Sequence, residues 1–363
     1  MNRSWLATAL CVVGSSFSLM AQVCGSTDLQ LQHDVLPQNP TGQQAYAAIA
    51  GVGVGDRAAV LFDLRGLPGP IRVLRGGVLF GGTCILGGVV PATANLEIYD
   101  GVQILPNGQA VPGPRVYVSN TALSLAPNTL TVSDISGVNV SVSSGLLMVA
   151  WQMVTNPNLP PPLCQTGFGA DTTLPPNSPC ATRAGINLIF DVVTQQWWDI
   201  SRFQIGGQPF CGIAYNGNWV IRACVELPAT AYVGTRDGLE LRTGIAGAAP
   251  TTVLAKAATT NQVVAMQLST PTGLYVGFPA FVAAEVHPAA GPRPTPVVPG
   301  AWLGPALVPI GPLVFGAGNS VTRTLTIPPR SFDLVLLVQG VVLSPAAQNR
   351  VYATTDAHAV WTY

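Results

Sequence analysis

Histidine is the side chain most readily set to acid–base work near neutral pH, and the chain has three. His33 sits beside Asp34, and His358 lies two residues from Asp356, a spacing that on a strand puts both side chains on one face. A histidine oriented by an aspartate is half of a relay that activates a nucleophile. The other half is missing: no Gly-x-Ser-x-Gly elbow occurs and no serine is marked out. Each histidine is therefore read as a surface or hydrogen-bonding residue, and no catalytic residue is assigned.

The acidic residues are scattered, without the spacing of an EF-hand or a zincin helix. Asp100 and Asp237 each precede a glycine and read as turn residues rather than calcium ligands. The run Gly51-Val52-Gly53-Val54-Gly55 lacks the final spacing of a dinucleotide-binding loop and the helix that would follow it, so it reads as a turn or a strand edge. No Cys-x-x-Cys occurs. Neither a metal nor a cofactor is expected.

Aromatic residues give the one pattern with a binding interpretation. Trp197, Trp198, Phe203, Tyr215 and Trp219 fall close together. Adjacent residues of a strand point to opposite faces, so one of Trp197 and Trp198 belongs to a core and the other is available outside it. An exposed indole stacks on a sugar or anchors a protein partner, which makes Trp198, with Tyr215, the candidate ligand-binding residues.

These residues must be held by a scaffold whose compartment is legible. Asn2 and Arg3 precede an apolar run from Trp5 to Met20, closed by the small Ala21. This is the pattern of a Sec signal peptide over residues 1–21, too short and too interrupted by Gly14, Ser15, Ser16 and Ser18 for a membrane anchor. No later run reaches transmembrane-helix length. A β-barrel of the outer membrane is disfavoured by dense prolines and by the scarcity of long alternating strands.

Charged residues make up 9% of the chain and apolar ones 48%, which excludes disorder and provides for a large core. The surface is then mostly Thr, Ser, Asn, Gln and Gly, with few charges to oppose self-association. There is one lysine, Lys256, and the arginines are not clustered, so nucleic acid is not an expected partner. Removal of Cys11 with the leader leaves Cys24, Cys84, Cys164, Cys180, Cys211 and Cys224. Six cysteines in an exported chain point to three disulfides, with fifteen connectivities open. Cys164 and Cys180 flank a loop rich in proline and glycine and are the preferred pair, whose closure contributes about 3 kcal/mol in the chain-entropy picture.

Short apolar runs separated by turn residues predict an all-β chain. Expected strands include Ala58–Leu64, Ile71–Leu79, Leu96–Tyr99 and Leu146–Val154. The stretch Gly185–Cys224 reads as three or four closing strands, with a hairpin at Asn216-Gly217. A boundary is expected between Glu226 and Arg236, dividing an N-terminal sandwich over 22–228 from a C-terminal one over 229–363. Expected strands of the second are Leu239–Thr243, Gln262–Leu268, Leu274–Gly277, Phe281–Val286, Ser320–Ile327, Leu334–Leu343 and Val351–Trp361. Between Pro288 and Pro312 lie eight prolines in twenty-five residues, which excludes a central strand and predicts a long, partly polyproline-like surface connection.

Trp197–Ile200 together with Asn218-Trp219-Val220-Ile221-Arg222-Ala223 resembles the last strands of jelly-roll or CUB-like β-sandwich modules of exported bacterial proteins. The later part resembles a C-terminal β module of uncharacterised secreted bacterial proteins. It does so through Asp237-Gly238-Leu239, Ser269–Gly273, Leu337-Val338-Gln339-Gly340 and Asn349–His358. The resemblance implies two antiparallel β-sandwich domains, jelly-roll-like and Ig-like, and carries no active site. The expected function is that of an exported, non-catalytic surface, adhesion or assembly component with an extracellular glycan or protein partner. A carbohydrate-binding accessory module and a hydrolase with an unrecognised site are the alternatives.

Overall fold

The structure is a computed structural model. It describes residues 23–24, 28–34, 36, 46–48, 52–67, 69–84, 92–126, 129–156, 164–171, 185–205, 208–209, 217–228, 232–291, 294–315, 318–328 and 333–362. Residues 1–21, expected to be a leader, lie outside these residues with Tyr215, Cys180 and Cys211, as do the side chains of Cys84 and Cys164. The described residues form an all-β protein of several sheets with mostly antiparallel pairing, while Ala255–Ala258 runs parallel to His358–Thr362. Two compact units divide the chain. One holds Gln30–Phe62 and Arg72–Val225 with Cys24; the other holds Ser26–Leu29, Asp63–Ile71 and Glu226–Tyr363.

In the first unit, one sheet runs in the order Leu29–Leu31, Ile221–Glu226, Ile71–Cys84, Cys164–Asp171 and Tyr46–Ala48. Thr129–Asp134 and Ser141–Val142 pair as well with Ile71–Cys84. The other sheet runs Val102–Ile104, Gln109–Pro112, Gln196–Asp199, Asn187–Asp191, Arg57–Asp63, Leu146–Thr155, Ala92–Asp100 and Arg115–Val118, with Leu123–Leu125 beside Ala92–Asp100. The sheets meet closely at Gly76, where an added Cβ would lie 2.7 Å from the Leu96 side chain. Glycine at this strand position gives Leu96 its place in the core.

The stretch Gly185–Cys224, expected to supply three or four closing strands, divides between the two sheets, and Asn216 of its expected hairpin turn lies outside the described residues. Asn187–Asp191 and Gln196–Asp199 form a tight hairpin through Gln195, whose φ is 56°, in the second sheet. Ile221–Glu226 lies in the first, between Leu29–Leu31 and Ile71–Cys84. Trp219, Ile221 and Ala223 alternate with Val220, Arg222 and Cys224, which at the strand period predicts one buried face, yet every residue from Trp219 to Val225 is buried. A central strand covered on both sides reads this way once its one charge, Arg222, has a buried partner. Cys24 and Cys224 are joined by a disulfide across a sequence separation of 200.

The second unit stacks a three-stranded sheet on a six-stranded one. The smaller runs Glu240–Ile245, Val263–Ser269, Ser320–Thr326. The larger runs Ala255–Ala258, His358–Thr362, Leu334–Leu343, Pro279–Pro288, Val308–Val314, with Tyr352–Thr354 beside Leu334–Leu343. Leu241, Met266 and Leu268 from the first sheet meet Val282, Val338 and Val360 from the second in one apolar core. Leu274–Gly277 is a turn, not the expected strand: it carries the buried Tyr275 on a bend that ends at Gly277, with φ of 82°. Ala255–Ala258 and Val308–Val314 are strands the sequence did not announce. Both are edge strands, the first short and parallel to its neighbour, the second interrupted by Pro309 and Pro312.

The proline-rich connection is held against the outer face of the larger sheet. The Trp302 amide donates to Gln339 Oε1 at 3.0 Å, and Gln339 Nε2 donates to the Gly300 carbonyl at 2.6 Å. The Trp302 indole donates to the Val233 carbonyl at 2.9 Å and meets Tyr232 edge-on. The Gly304 amide donates to the buried Glu285 carboxylate. Segment Asp63–Ile71 joins this layer, with the Gly66 amide donating to Ala289 O at 2.8 Å and the Tyr232 hydroxyl donating to Gly66 O at 3.3 Å. Polar side chains on an outward sheet face, Gln339 and Glu285, are thus the anchors for a segment whose prolines cannot supply amide donors of their own.

Candidate functional site

The hairpin Asn187–Asp199 sets the two adjacent tryptophans on opposite faces, as a strand must. Trp197 is buried, packing against Phe190 at 5.3 Å and edge-on to Tyr99 at 6.2 Å between ring centroids. Trp198 is half-buried, opposite Ile189 on one side and Gln109 on the other. Part of the Trp198 side chain is therefore exposed to solvent. Tyr215, its companion in the sequence reading, lies outside the described residues.

Beneath the aromatic group sits a charge cluster that no motif marked. Glu97 is buried and accepts from Arg57 Nε at 3.1 Å, Arg115 Nη1 at 3.1 Å and the Tyr99 hydroxyl at 2.7 Å. The Arg57 guanidinium also lies 4.4 Å from the Phe190 ring centroid, a cation–π contact. Burial, reinforced by the hydrogen bond to Glu97, pushes the Tyr99 hydroxyl well above the usual phenol range. Tyr99 therefore stays protonated and acts as a donor, and two guanidinium groups share one carboxylate with a net positive charge. The signal available in the sequence was Glu97 itself, a carboxylate inside the apolar strand Ala92–Asp100, which has to be paired when that strand is buried.

The two histidine–aspartate pairs do not form relays. His33 is buried, stacked on Phe62 at 5.0 Å, with Nε2 3.1 Å from the Leu61 carbonyl. Asp34 turns to Arg222, accepting from Nε at 2.9 Å and from Nη2, and also takes the Leu36 amide at 3.1 Å. His358 faces the core of the second unit, with Nδ1 2.9 Å from Thr243 Oγ1. Burial, aided by the charge of Lys256, pushes its imidazole down to about 3. Asp356 lies before the strand His358–Thr362 and accepts the Gly234 amide at 2.8 Å.

The remaining acidic candidates serve the backbone. Asp100 accepts the amides of Ser143 at 3.0 Å and Ser144 at 2.9 Å and the Ser143 hydroxyl at 2.8 Å, beside Gly101 with φ of 93°. Burial works against its ionisation, but these hydrogen bonds prevail and hold the carboxyl below its ordinary range. Asp237 is buried next to Gly238, whose φ is 74°, and its main-chain carbonyl accepts the Tyr275 hydroxyl at 3.0 Å. Gly53–Asp56 is a tight turn, closed by the Gly53 amide donating to Asp56 Oδ2 at 2.7 Å. Among the described residues, no three His, Cys, Asp or Glu side chains come together as a metal site.

No family model matches the chain. No curated protein matches it either. Among solved structures, it is similar to one titled "Crystal structure of Putative membrane anchored protein from Corynebacterium diphtheriae", at 11% identity and a TM-score of 0.20. The match covers 88% of this chain and 54% of that one, so the chain spans about half the length of that protein.

Proposed function

We propose that the chain is an exported, non-catalytic β-sandwich protein that serves as a cell-surface, adhesion or extracellular assembly component. The observation that carries this reading is the Cys24–Cys224 disulfide, because structural disulfides form and persist in oxidising compartments. The commitments of the buried polar groups support it: Asp34, Glu97 and His358 are spent on holding strands together. So does a weakly charged surface. Val116 and Val118 are exposed on the edge strand Arg115–Val118, and Val308 and Val314 on the edge strand Val308–Val314. Such edges favour association over repulsion.

The test is protease shaving of intact cells that express the tagged full chain, with thiol alkylation before any reduction. The reading expects a protein accessible from outside, with Cys24 and Cys224 protected from the alkylating agent. A chain confined to the cytosol with both thiols free overturns it. A second reading, a carbohydrate-binding accessory module, draws on the half-buried Trp198. Retention on a glycan array that Trp198→Ala abolishes, with the fold intact, would establish that reading, and an array that retains no wild-type protein would remove it.

A further inference from the structure

We infer that Cys84 and Cys164 form a second disulfide, locking Ile71–Cys84 to Cys164–Asp171 at their shared end. The two cysteines are direct register partners. They form the terminal rung of an antiparallel ladder that continues through Gln165↔Thr83, Thr166↔Gly82, Gly167↔Gly81 and Phe168↔Phe80. Opposed residues of such a pair lie on one face of the sheet, with Cα atoms about 4.5 or 5.5 Å apart according to whether the rung is hydrogen-bonded. Both separations fall within the range of about 4.4–6.8 Å that a disulfide spans, so the register itself permits the bond. The pairing displaces the one preferred from sequence, Cys164 with Cys180. Cys180 lies outside the described residues, whereas four further rungs hold Cys84 opposite Cys164. With Cys24 bonded to Cys224, Cys180 and Cys211 are left as the remaining two of the six cysteines beyond the leader.

The bond forms by thiol–disulfide exchange with a disulfide-bearing oxidant of the exporting compartment. One cysteine thiolate attacks the oxidant's S–S bond and releases one of its sulfurs as a thiol. The second cysteine thiolate then displaces the other sulfur from the mixed disulfide. Two protein thiols are oxidised, the oxidant's disulfide is reduced to two thiols, and the two protons leave with them. The inference rests on the proposed export only for this oxidant, and the Cys24–Cys224 bond reports separately whether the chain has met one.

The experiment is a disulfide map of the full chain recovered from an oxidising compartment, alkylated without reduction. The chain is cut after arginine and before aspartate. These cuts release Cys84 in Gly76–Tyr99, Cys164 in Asp134–Ala170 and Cys180 in Asp171–Arg183. The expected product is Gly76–Tyr99 joined to Asp134–Ala170. Asp134–Ala170 joined to Asp171–Arg183 overturns the inference, as do alkylated Cys84 and Cys164 in a chain whose Cys24 is still bonded to Cys224. Alkylation of all the thiols overturns the export reading as well. In Cys84→Ser, Cys164 should go from almost no alkylation to about one label per chain. A Cys164 that stays blocked in that variant counts against the pairing, and the wild-type map stands whether or not the variant folds.

Discussion

Arg222 and Asp34, 188 residues apart in sequence, meet as a fully buried ion pair with two guanidinium nitrogens on the carboxylate. The pair crosses from Ile221–Glu226 to the segment that follows Leu29–Leu31, and Nη2 reaches the Leu36 carbonyl as well. Removing one partner leaves an uncompensated charge in the interior. Arg222→Met should therefore cost about 3–5 kcal/mol in urea unfolding. Coupling it to Asp34→Leu should recover much of that loss, because an apolar pair of similar volume is often nearly neutral. A double variant no more stable than Arg222→Met alone would show that the cost lies in lost packing rather than in the stranded carboxylate.

His358 makes the second unit sensitive to acid. Its imidazole has an ordinary value of 6.5 and is pushed down to about 3 in the fold by burial, then by the nearby Lys256 charge. The unfolded chain takes up a proton below 6.5 while the folded chain refuses it. The stabilisation is therefore complete above pH 6.5 and is lost progressively as the pH falls toward 3. Thermal melts of His358→Gln, which keeps a partner for Thr243, should show a flatter profile than wild type across that window. Equal slopes for the two proteins would reject this assignment.

Lys256 lies on the edge strand Ala255–Ala258, and its ammonium donates to the Val253 carbonyl. Burial pushes it from 10.5 down to about 8. It is the single lysine, so amine acylation reads it directly apart from the N-terminal amine. In the folded chain its acylation rate should reach half-maximum near pH 8, moving up toward 10.5 in denaturant. Half-maximal labelling near 10.5 in the folded protein would mean that the side chain is solvated. Lys256→Val, which removes an edge charge, should raise light scattering at high protein concentration.

Gly217 has no room for a side chain, since an added Cβ would lie 1.5 Å from the main-chain oxygen of Asp171. The Asn218 amide donates to Asp171 Oδ1 at 2.7 Å, and the isolated bridge of Ala170 to Trp219 follows directly. A backbone obstacle cannot rotate away as a side chain can. Gly217→Ala should lose about 3 kcal/mol, at the upper end of what overpacking typically costs, measured by denaturant titration. A wild-type midpoint for this variant would show that the Asp171 turn has slack.

Period-2 runs bounded by turn residues were enough to place most strands, because burial of one face writes itself into adjacent residues. Leu334–Leu343 was read with the bounds it has. Strand partners were less legible, as Ile221–Glu226 shows: its alternation records local geometry, while its neighbour Leu29–Leu31 lies almost the whole unit away. Ala255–Ala258 escapes this reading because three alanines around one lysine carry no apolar period. At the candidate site, the opposite facing of Trp197 and Trp198 followed from strand geometry alone. Glu97 with Arg57 and Arg115 could not be found that way, since three strands must assemble before those charges meet. The histidine–aspartate spacings build no relay for the same reason: each aspartate takes a donor elsewhere, Arg222 for Asp34 and the Gly234 amide for Asp356.

The Leu29–Leu31 strand and the Cys24 thiol find their partners only in the segment that ends the first unit. Translation at roughly 5–20 residues per second separates the making of Cys24 from the making of Cys224 by about 10–40 s. For that interval the nascent chain has no mate for Cys24 and lacks the Ile221–Glu226 strand beside which Leu29–Leu31 lies. The architecture thus makes the first unit a post-translational folder, dependent on whatever keeps an emerging strand soluble and an early cysteine from bonding to the wrong one.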